Sequence, residues 1–263
     1  MQTFQINTKE KREATGDLFG IFFEDINHAA DGGLYAELIQ NRAFEFDQID
    51  NKKYHALYAW MPCQLDEKNG QVDAADVSLT ILTDSPYTKK NPHYLRITAN
   101  SAYAGVKNLG FNSGISLEGG ERYHFSCYLR KVDEPVKVKA CLIGKEGQIY
   151  ASCEITADAS DWKKYTADLE IAEGTSCTDA NLALVCMTPG SVEVDFVSLF
   201  PAHTYKNRPN GLRKDLCEML EAMHPKFIRF PGGCLVHDGQ LDENARDSMY
   251  RWKNTIGPVE ERP

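Results

Sequence analysis

The sequence has no hydrophobic run of membrane-spanning length and no block of basic residues. A helix that crosses a bilayer needs about 20 apolar residues in succession, so we expect no membrane partner. The formal net charge of −9 disfavours a nucleic-acid or anionic-membrane surface, so we expect no nucleic-acid partner either. A neutral carbohydrate is compatible with this charge.

Cysteines are also sparse, and no two of the eight form a Cys-x-x-Cys pair. This pattern does not indicate a small disulfide-stapled scaffold. Cys127 and Cys141 stand at apolar positions of alternating segments, so we expect them to be buried free thiols. The N-terminus has a basic cluster with no apolar stretch after it, unlike a signal peptide. We therefore expect a cytoplasmic protein, or a secreted or periplasmic one if a signal has been removed.

Apolar and polar residues alternate over much of residues 54–201, which is the period of a strand with one buried face. Gly, Asn, Asp and Pro separate the runs. The pattern predicts an antiparallel β-sandwich, most typically a jelly roll. The apolar positions that show it best are Tyr123, Phe125, Cys127, Leu129, Val136, Val138, Ala140, Leu142, Val192, Val194 and Phe196.

The segments on either side have a different pattern. Residues 18–23 form a short apolar run, typical of a buried parallel strand, and Leu34, Leu38 and Ile39 follow at helical spacing. After the predicted sandwich, helical spacing returns at Leu212, Leu216, Leu220 and Met223. Asn210 could cap this helix and Pro225 could end it. Residues 227–230 are the next predicted strand.

These elements predict a mixed α/β and all-β chain: an incomplete (β/α)8 barrel, first repeats only, with an inserted antiparallel jelly-roll β-sandwich. Residues 1–50 would supply the first barrel strand and helix, 54–201 the insert, and 202–263 the barrel continuation. A full barrel needs roughly 250 residues, so 263 residues that include this insert cannot complete one.

Polar, glycine-rich loops follow the two predicted barrel strands, where α/β barrels carry their chemistry. The first loop contains Glu24-Asp25-Ile-Asn27-His28 and Asp31-Gly32-Gly33, and the second contains Pro231-Gly232-Gly233-Cys234. Paired carboxylates could serve acid/base chemistry, bind a cation, hold sugar hydroxyls or be solvated loop residues. Gly32, Gly33, Gly232 and Gly233 are predicted to shape turns. No second His or Cys stands at metal-ligand spacing from His28.

Together with Tyr250-Arg251-Trp252-Lys253 and Ile256-Gly257-Pro258-Val259-Glu260-Glu261-Arg262-Pro263, these motifs resemble the family 51 glycoside hydrolases, the α-L-arabinofuranosidases. The resemblance covers residues 16–47 and 209–263, whereas the middle resembles carbohydrate-binding modules only in its overall pattern. It implies that Glu24 accepts hydrogen bonds from the arabinofuranose ring, that Cys234 lines the sugar pocket and that Trp252 packs on the sugar. Inert packing remains the alternative for Cys234, and core or interface packing for Trp252. Asn27 and His28 could extend the same rim.

The resemblance also implies what this chain lacks. Retaining glycosidases need two carboxyl groups about 5 to 5.5 Å apart, and the family supplies them from later barrel strands, the acid/base within a Gly-Asn-Glu motif. That motif is absent, and Asp242-Glu243-Asn244 lies in a polar loop without a preceding strand. We expect no catalytic residue here: the chain would be the N-terminal portion of a retaining enzyme that releases terminal arabinofuranose from arabinoxylan, arabinan or related plant polysaccharides, inactive by itself.

Other expectations remain open at this point. A non-catalytic carbohydrate-binding protein would use the sandwich alone, with sugar platforms among Tyr58, Trp60, Tyr87, Tyr94 and Tyr103, about half of which should be core residues. No cofactor is required, although Asp195 is a candidate ligand of a structural Ca²⁺. Glu260, Glu261 and Arg262 are interpreted as a local ion-pair cluster. The partner is an arabinose-containing oligo- or polysaccharide, and a full-length enzyme could form a homo-oligomer.

Overall fold

The structure is a computed structural model that describes residues 3–5, 7, 9–10, 16–66, 70–72, 76–233 and 251–262. Two antiparallel sheets account for most of it. In chain order the strands are β1 (Ile21–Phe22), β2 (Trp60–Asp66), β3 (Gly70–Val72), β4 (Val77–Leu82), β5 (Tyr94–Ala99), β6 (Ala104–Asn108), β7 (Ile115–Leu117), β8 (Arg122–Lys131), β9 (Val136–Ile143), β10 (Ile149–Ala157), β11 (Lys163–Glu170), β12 (Cys177–Cys186), β13 (Gly190–Pro201) and β14 (Ile228–Arg229).

The two large sheets face each other as a β-sandwich. One has the strand order β10-β9-β12-β6-β2-β3, with β7 paired to β12, and the other has the order β11-β8-β13-β5-β4. Their inner faces carry the alternating apolar residues, such as Phe125, Leu129 and Leu184, which are at most 1 % exposed. The predicted antiparallel sandwich is therefore confirmed. Cys127 and Cys141 are buried free thiols, as predicted.

Phe196 departs from the predicted alternation. The register of β13 against β8 shifts between Asp195 and Ser198, and Phe196 has a left-handed φ of 44°. The irregularity turns Val197 into the sandwich core, while Phe196 packs outside it with Tyr128. One irregular residue is enough to reverse the faces of a strand, because its side chains alternate with a period of two.

The helix predicted from Leu34, Leu38 and Ile39 is wrong, since these residues form turns and extended chain. The carboxylate of Glu37 accepts the N–H groups of Leu38, Ile39 and Leu199 at 2.8 to 3.1 Å. The Leu38 N–H also lies 3.0 Å from the Leu199 carbonyl oxygen. These bonds hold the segment against β13 and occupy the donors that a helix would use internally.

The sandwich core also extends beyond the predicted boundary at residue 54. Ile39 and Phe44 are fully buried within the same core cluster as the sandwich strands. Glu37 is itself completely buried, and its Oε2 accepts the Ser198 hydroxyl at 2.6 Å. Burial raises the pKa of Glu37, against the opposing effects of Arg42 and the hydrogen-bond donors. Residues 36–44 are therefore packed as part of the sandwich.

The only described α-helix, α1 (Lys214–Ala222), ends before Pro225. Arg213, and not Asn210, is its N-cap residue, so the predicted cap is wrong. The Leu212 carbonyl accepts from Tyr205, and the Arg213 N–H donates to the Leu34 carbonyl. These bonds keep residues 212–213 in extended chain and delay the start of the helix. No helix among the described residues combines the length and the apolarity that crossing a bilayer requires.

The short strands β1 and β14 pair in parallel, with Ile21 opposite Ile228 and Phe22 opposite Arg229. The predicted parallel direction is observed, but the predicted burial is not. The exposed fraction is 52 % for Phe22 and 59 % for Ile228. Within the described residues, the pair has no second layer to cover it.

Candidate functional site

The β1–β14 pair brings together the two loops that the sequence singled out. The Phe23 N–H donates to the Arg229 carbonyl and the Asp25 N–H to the Pro231 carbonyl, both at 2.9 Å. Because the strands are parallel, their following loops leave from one end of the pair. Residues more than 200 positions apart thus meet at a single edge.

Glu24 occupies the centre of this edge. Its Oε1 lies 3.3 Å from the backbone nitrogen of Gly233, which donates to it. A Cβ atom on Gly232 would lie 2.5 Å from the Glu24 Cγ, so only glycine leaves room for the glutamate side chain. Gly232 also has a φ of 143°. Cys234 follows directly in the chain, but its predicted role falls outside the described residues, as does the Asp242-Glu243-Asn244 loop.

The loop after Glu24 is held by a carboxylate and by two residues in the left-handed region. The Asp25 Oδ1 accepts the Ala30 N–H at 3.0 Å, closing the turn that contains Asn27 and His28. Their φ values are 54° and 61°. Asn27 is exposed, whereas His28 is half-buried. This contact of Asp25 with the backbone shapes the rim of the site.

This rim rests on the sandwich through Phe111. The His28 ring contacts the Phe111 ring edge-on, with 5.3 Å between the centroids. Gly32 has a φ of 79°, and a Cβ atom there would lie 2.3 Å from the Phe111 ring. A Cβ atom on Gly33 would meet the carbonyl oxygens of Ala29 and His28 at the same distance. Gly32 therefore lets the loop pack against Phe111, and Gly33 lets the loop turn tightly on itself.

Trp252 begins a short 3-10 helix, Trp252–Thr255, and its side chain is exposed. The Lys253 ammonium lies 6.0 Å from the centroid of its ring. With 68 % of the residue exposed, the indole does not belong to a core of the described residues. Its apolar face is available to a ligand or to another part of a longer protein.

Hydrogen bonds hold the segment after Trp252 against the outer face of the five-stranded sheet. The Asn91 side-chain amide donates to the carbonyl oxygens of Glu260 and Arg262, at 2.9 and 2.8 Å. The Tyr128 hydroxyl donates to the Glu260 Oε1 at 3.0 Å, and the Lys164 ammonium lies 3.3 Å from the same oxygen. We call this set of contacts the Asn91 clamp.

The clamp corrects the prediction of a local ion-pair cluster at residues 260–262. Glu260 pairs with Lys164 of the sandwich, and the Arg262 guanidinium donates to the Gly257 carbonyl. Burial raises the pKa of Tyr128, and its hydrogen bonds with Tyr87 and Glu260 raise it further, so that the hydroxyl remains a donor. No sequence signal could pair Asn91 with residues some 170 positions away.

Most of the predicted sugar platforms are structural. Trp60 and Tyr94 are buried, and Tyr103 packs against a buried cluster on the outer face of the seven-stranded sheet. Tyr87 is 39 % exposed but packs on Tyr128, with 4.2 Å between the ring centroids. Tyr58 belongs to an aromatic cluster that the sequence did not single out. These placements do not favour binding through the sandwich alone.

Asp195 is buried on the outer face of the five-stranded sheet. Its Oδ1 accepts the Phe196 N–H at 2.7 Å, and its Oδ2 has no hydrogen-bond partner within the described residues. Burial raises the pKa of Asp195 well above its usual value, and the charge of Glu45 raises it further. The described residues contain no group of three or more His, Cys, Asp or Glu side chains arranged to hold a metal.

A further cleft lies between α1 and the sandwich, and Glu24 does not line it. It has a volume of about 820 Å³ and is lined by side chains of both charges, including Glu118, Glu121, Arg213 and Asp215. Several of these are already paired: Glu121 contacts His203, and Arg213 pairs with Asp215. These pairs occupy part of the charged lining of the cleft.

Comparison with known proteins shows that the chain is similar to parts of several α-L-arabinofuranosidases. Residues 219–263 match the family model described as Alpha-L-arabinofuranosidase 1 domain. The chain is 39 % identical to an extracellular exo-α-L-arabinofuranosidase from Streptomyces chartreusis, over 93 % of this chain and 28 % of that protein. It is 36 % identical to α-L-arabinofuranosidase 1 from Arabidopsis thaliana, over 94 % of this chain and 35 % of that protein.

The chain is also similar in three dimensions to a solved α-L-arabinofuranosidase structure. An arabinose-bound GH51 α-L-arabinofuranosidase superposes with a TM-score of 0.77 and 30 % sequence identity, covering 94 % of this chain and 38 % of that one. The chain thus spans about a third of the length of the curated relatives and of the solved structure that it matches.

Proposed function

Since this chain belongs to glycoside hydrolase family 51, the α-L-arabinofuranosidases, we propose that it is the N-terminal portion of a retaining enzyme that releases terminal arabinofuranose from plant polysaccharides such as arabinoxylan or arabinan. The observation that carries the proposal is the contact between Glu24 and the backbone of Gly233. It joins the two family motifs at the edge where a barrel binds substrate.

In this proposal, Glu24 binds substrate and does not transfer a proton. Its Oε1 is oriented by the Gly233 N–H, and an ionised carboxylate can accept further hydrogen bonds from sugar hydroxyls. Cys234 lines the pocket, Trp252 packs on the sugar, and Asn27 and His28 extend the rim. The exposed faces of β1 and β14 fit an incomplete (β/α)8 barrel whose remaining repeats would cover them.

The catalytic carboxylates come from residues outside this chain. Cleavage with retention requires a nucleophilic carboxylate and a separate proton donor about 5 to 5.5 Å apart. We therefore expect the purified chain to release no 4-nitrophenol from 4-nitrophenyl α-L-arabinofuranoside. Turnover that copurifies with the chain and disappears in the Glu24→Ala variant would show that the catalytic groups have been misplaced.

The role of Glu24 is testable in a longer enzyme that contains these residues together with a catalytic portion. Hydrogen bonds to a charged group contribute about 1.5 to 3 kcal/mol each, so Glu24→Ala should lower kcat/KM by roughly a hundredfold. The exposed Glu134, which lies in a turn of the sandwich, provides the matched Glu134→Ala control. An unchanged kcat/KM for Glu24→Ala would remove Glu24 from the site.

A structural Ca²⁺ at Asp195 belongs to the same proposal. The unpartnered Oδ2 and the nearby charge of Glu45 support it, although Glu45 also bonds the His93 ring at 2.6 Å. Calcium should raise the melting temperature of the wild-type chain but not that of Asp195→Asn. Equal melting temperatures with calcium and with chelator would argue against the ion.

The cellular location is also part of the proposal. A secreted enzyme would meet plant polysaccharides directly, and the Streptomyces relative is described as extracellular. The cytoplasmic location and the homo-oligomer expected from the sequence remain predictions. Fractionation of the source cells, followed by immunoblotting for this chain, would distinguish the two locations.

A further inference from the structure

A half-buried aromatic cluster stands in the loop that joins the site segment to the sandwich. Phe46 stacks on Tyr54 with 4.4 Å between ring centroids, and Tyr54 contacts Tyr58 at 4.7 Å. His55 meets Tyr58 edge-on at 6.0 Å. None of these rings belongs to the main sandwich core. The cluster is an aromatic surface beside the sheet.

The loop is held in shape by Asn41, which is only 4 % exposed. Its side-chain amide donates to the carbonyls of Ala56 and Tyr58, at 2.8 and 3.0 Å. Its Oδ1 accepts the Phe46 N–H at 3.1 Å, and its own carbonyl accepts the Trp60 indole N–H at 2.9 Å. This network fixes both ends of the loop, so the rings need little ordering when they meet a ligand.

The cluster forms one wall of an open cleft of about 550 Å³, which we call the Tyr54 cleft. Phe46 and Tyr54 supply the aromatic wall, and polar side chains supply the rest. Among these, Glu45 and His93 are bonded to each other, which limits the net charge that they present. The polar lining residues are Glu45, Asp47, Gln48, His55, Lys90, Asn91 and His93.

A chain of contacts links the aromatic cluster of the Tyr54 cleft to the Glu24 loop. The Ala59 carbonyl, next to Tyr58, accepts the Leu109 N–H, and Phe111 two residues later packs on His28 and Gly32. Burial raises the pKa of Tyr54, and the nearby groups that raise it further include the carboxylates of Asp31 and Asp25. A ligand held at Glu24 could therefore extend towards this wall.

We propose that the Tyr54 cleft binds the glycan chain that carries the arabinofuranose, with a neutral sugar ring packed on the Phe46 and Tyr54 wall. A sugar has an apolar C–H face that suits an aromatic ring and hydroxyls that suit the polar lining. This inference rests on the proposed function, because an enzyme that removes a side-chain sugar must hold the chain next to it.

Isothermal titration calorimetry on the full 263-residue chain tests the proposal. The probes are unsubstituted xylohexaose, linear 1,5-arabinohexaose and cellohexaose, which contain no arabinofuranose side chain. We expect saturable binding of xylohexaose or arabinohexaose that Tyr54→Ala weakens by about tenfold, the loss expected for one stacked ring. Tyr54→Phe keeps the ring and should remain within about twofold of the wild type.

The half-exposed Tyr165 on β11 bonds Asp158 and does not line the cleft, so Tyr165→Ala is the matched control. Near-ultraviolet circular dichroism identifies variants that have lost their fold, and Tyr54→Ala is then replaced by His55→Ala, at an exposed lining residue. Failure of all three probes to bind, or equal affinities for wild type and the cleft variant, would overturn the proposal. So would binding of cellohexaose alone.

Glu24→Ala separates this inference from the proposed function. Saturation-transfer NMR with free arabinose reports on the Glu24 site, whereas the unsubstituted oligosaccharides report on the cleft. If Glu24→Ala leaves an observed arabinose signal unchanged while Tyr54→Ala weakens oligosaccharide binding, the Glu24 role fails and the cleft stands. The opposite pattern removes the cleft and leaves the Glu24 role intact.

Discussion

The sandwich and the β1–β14 pair are both built from short apolar strands, yet they differ in how their side chains are buried. Phe125 and Leu129 of β8 are at most 1 % exposed, whereas Phe22 of β1 and Ile228 of β14 are more than half exposed. Two sheets of the sandwich cover each other, because the alternating pattern supplies both halves of one core. The strands of the parallel pair are also apolar, but no second layer covers them among the described residues.

The sandwich core also includes residues that precede the alternating segment of the sequence. Ile39 and Phe44 precede the alternating segment but are as deeply buried as the strands. Glu37 and Asn41 hold them there through hydrogen bonds to β13 and to the loop before β2. The packed unit therefore begins near residue 36.

The largest expected effect is a difference in stability between two fragments, residues 36–201 and residues 54–201. The sequence pattern assigns residues 54–201 to the inserted sandwich, but a fragment with these bounds lacks Ile39, Phe44 and the Glu37 bonds. Losing two fully buried large side chains costs several kcal/mol, comparable to the whole stability of many domains. We expect residues 36–201 to unfold cooperatively, and residues 54–201 to lack a cooperative thermal transition by near-ultraviolet circular dichroism.

Both fragments need the same purification and the same buffer, and the intact chain provides the reference. A cooperative transition for residues 54–201, at the same temperature as for residues 36–201, would show that the earlier segment adds no stability. In that case the boundary indicated by the sequence pattern would be the correct one.

Two phenylalanines test the difference in burial directly. Phe125 is 1 % exposed and Phe230 is 61 % exposed. Phe125→Ala should lower the free energy of unfolding by about 3 to 5 kcal/mol, because it removes buried apolar surface and leaves a cavity. Phe230→Ala should change it by less than about 0.5 kcal/mol. Urea denaturation followed by circular dichroism measures both, and similar losses for the two variants would contradict the assignment of Phe230 to an uncovered surface.

The smallest effect concerns the clamp that joins the C-terminal segment to the sandwich. Asn91→Ala removes two hydrogen bonds, to Glu260 and Arg262, and should cost about 1 to 2 kcal/mol. Amide hydrogen exchange should accelerate in residues 251–262 before it changes in the strands. The exposed Gln148, in the turn between β9 and β10, provides the Gln148→Ala control. Unchanged exchange in the C-terminal segment of Asn91→Ala would mean that the clamp does not hold it.

Sequence reasoning was strongest where local pattern and long-range packing agree. Phe125 and Leu129 could be assigned to a core because a period of two requires one buried face. The same reasoning misplaced Phe196. The alternating residues before it, Val192 and Val194, do not reveal that the register of β13 shifts after Asp195. Sequence reasoning also misplaced the helix at residues 34–39, because the apolar spacing did not reveal that Glu37 bonds the backbone of β13.

In the candidate site, too, some features were recognisable in the sequence and others were not. Glu24 and the glycines after β14 were recognisable as motifs, since their residue types and spacing are specified along the chain. The Asn91 clamp and the packing of Phe111 on His28 were not recognisable, because each joins residues that are distant in sequence. The Phe46 and Tyr54 wall is local, but the cleft that it lines also needs residues 90–93. No local preference encodes such contacts.

The amino-acid sequence by itself determined the antiparallel sandwich, the family motifs and the parallel direction of β1 and β14, because periodicity and fixed motif residues are local properties of the chain. Only the tertiary structure decided where the core begins, which aromatic residues remain open to a ligand, and that the Gly233 N–H meets the Glu24 carboxylate. These outcomes depend on which distant surfaces exclude water from each other, a property of packing that no single segment carries.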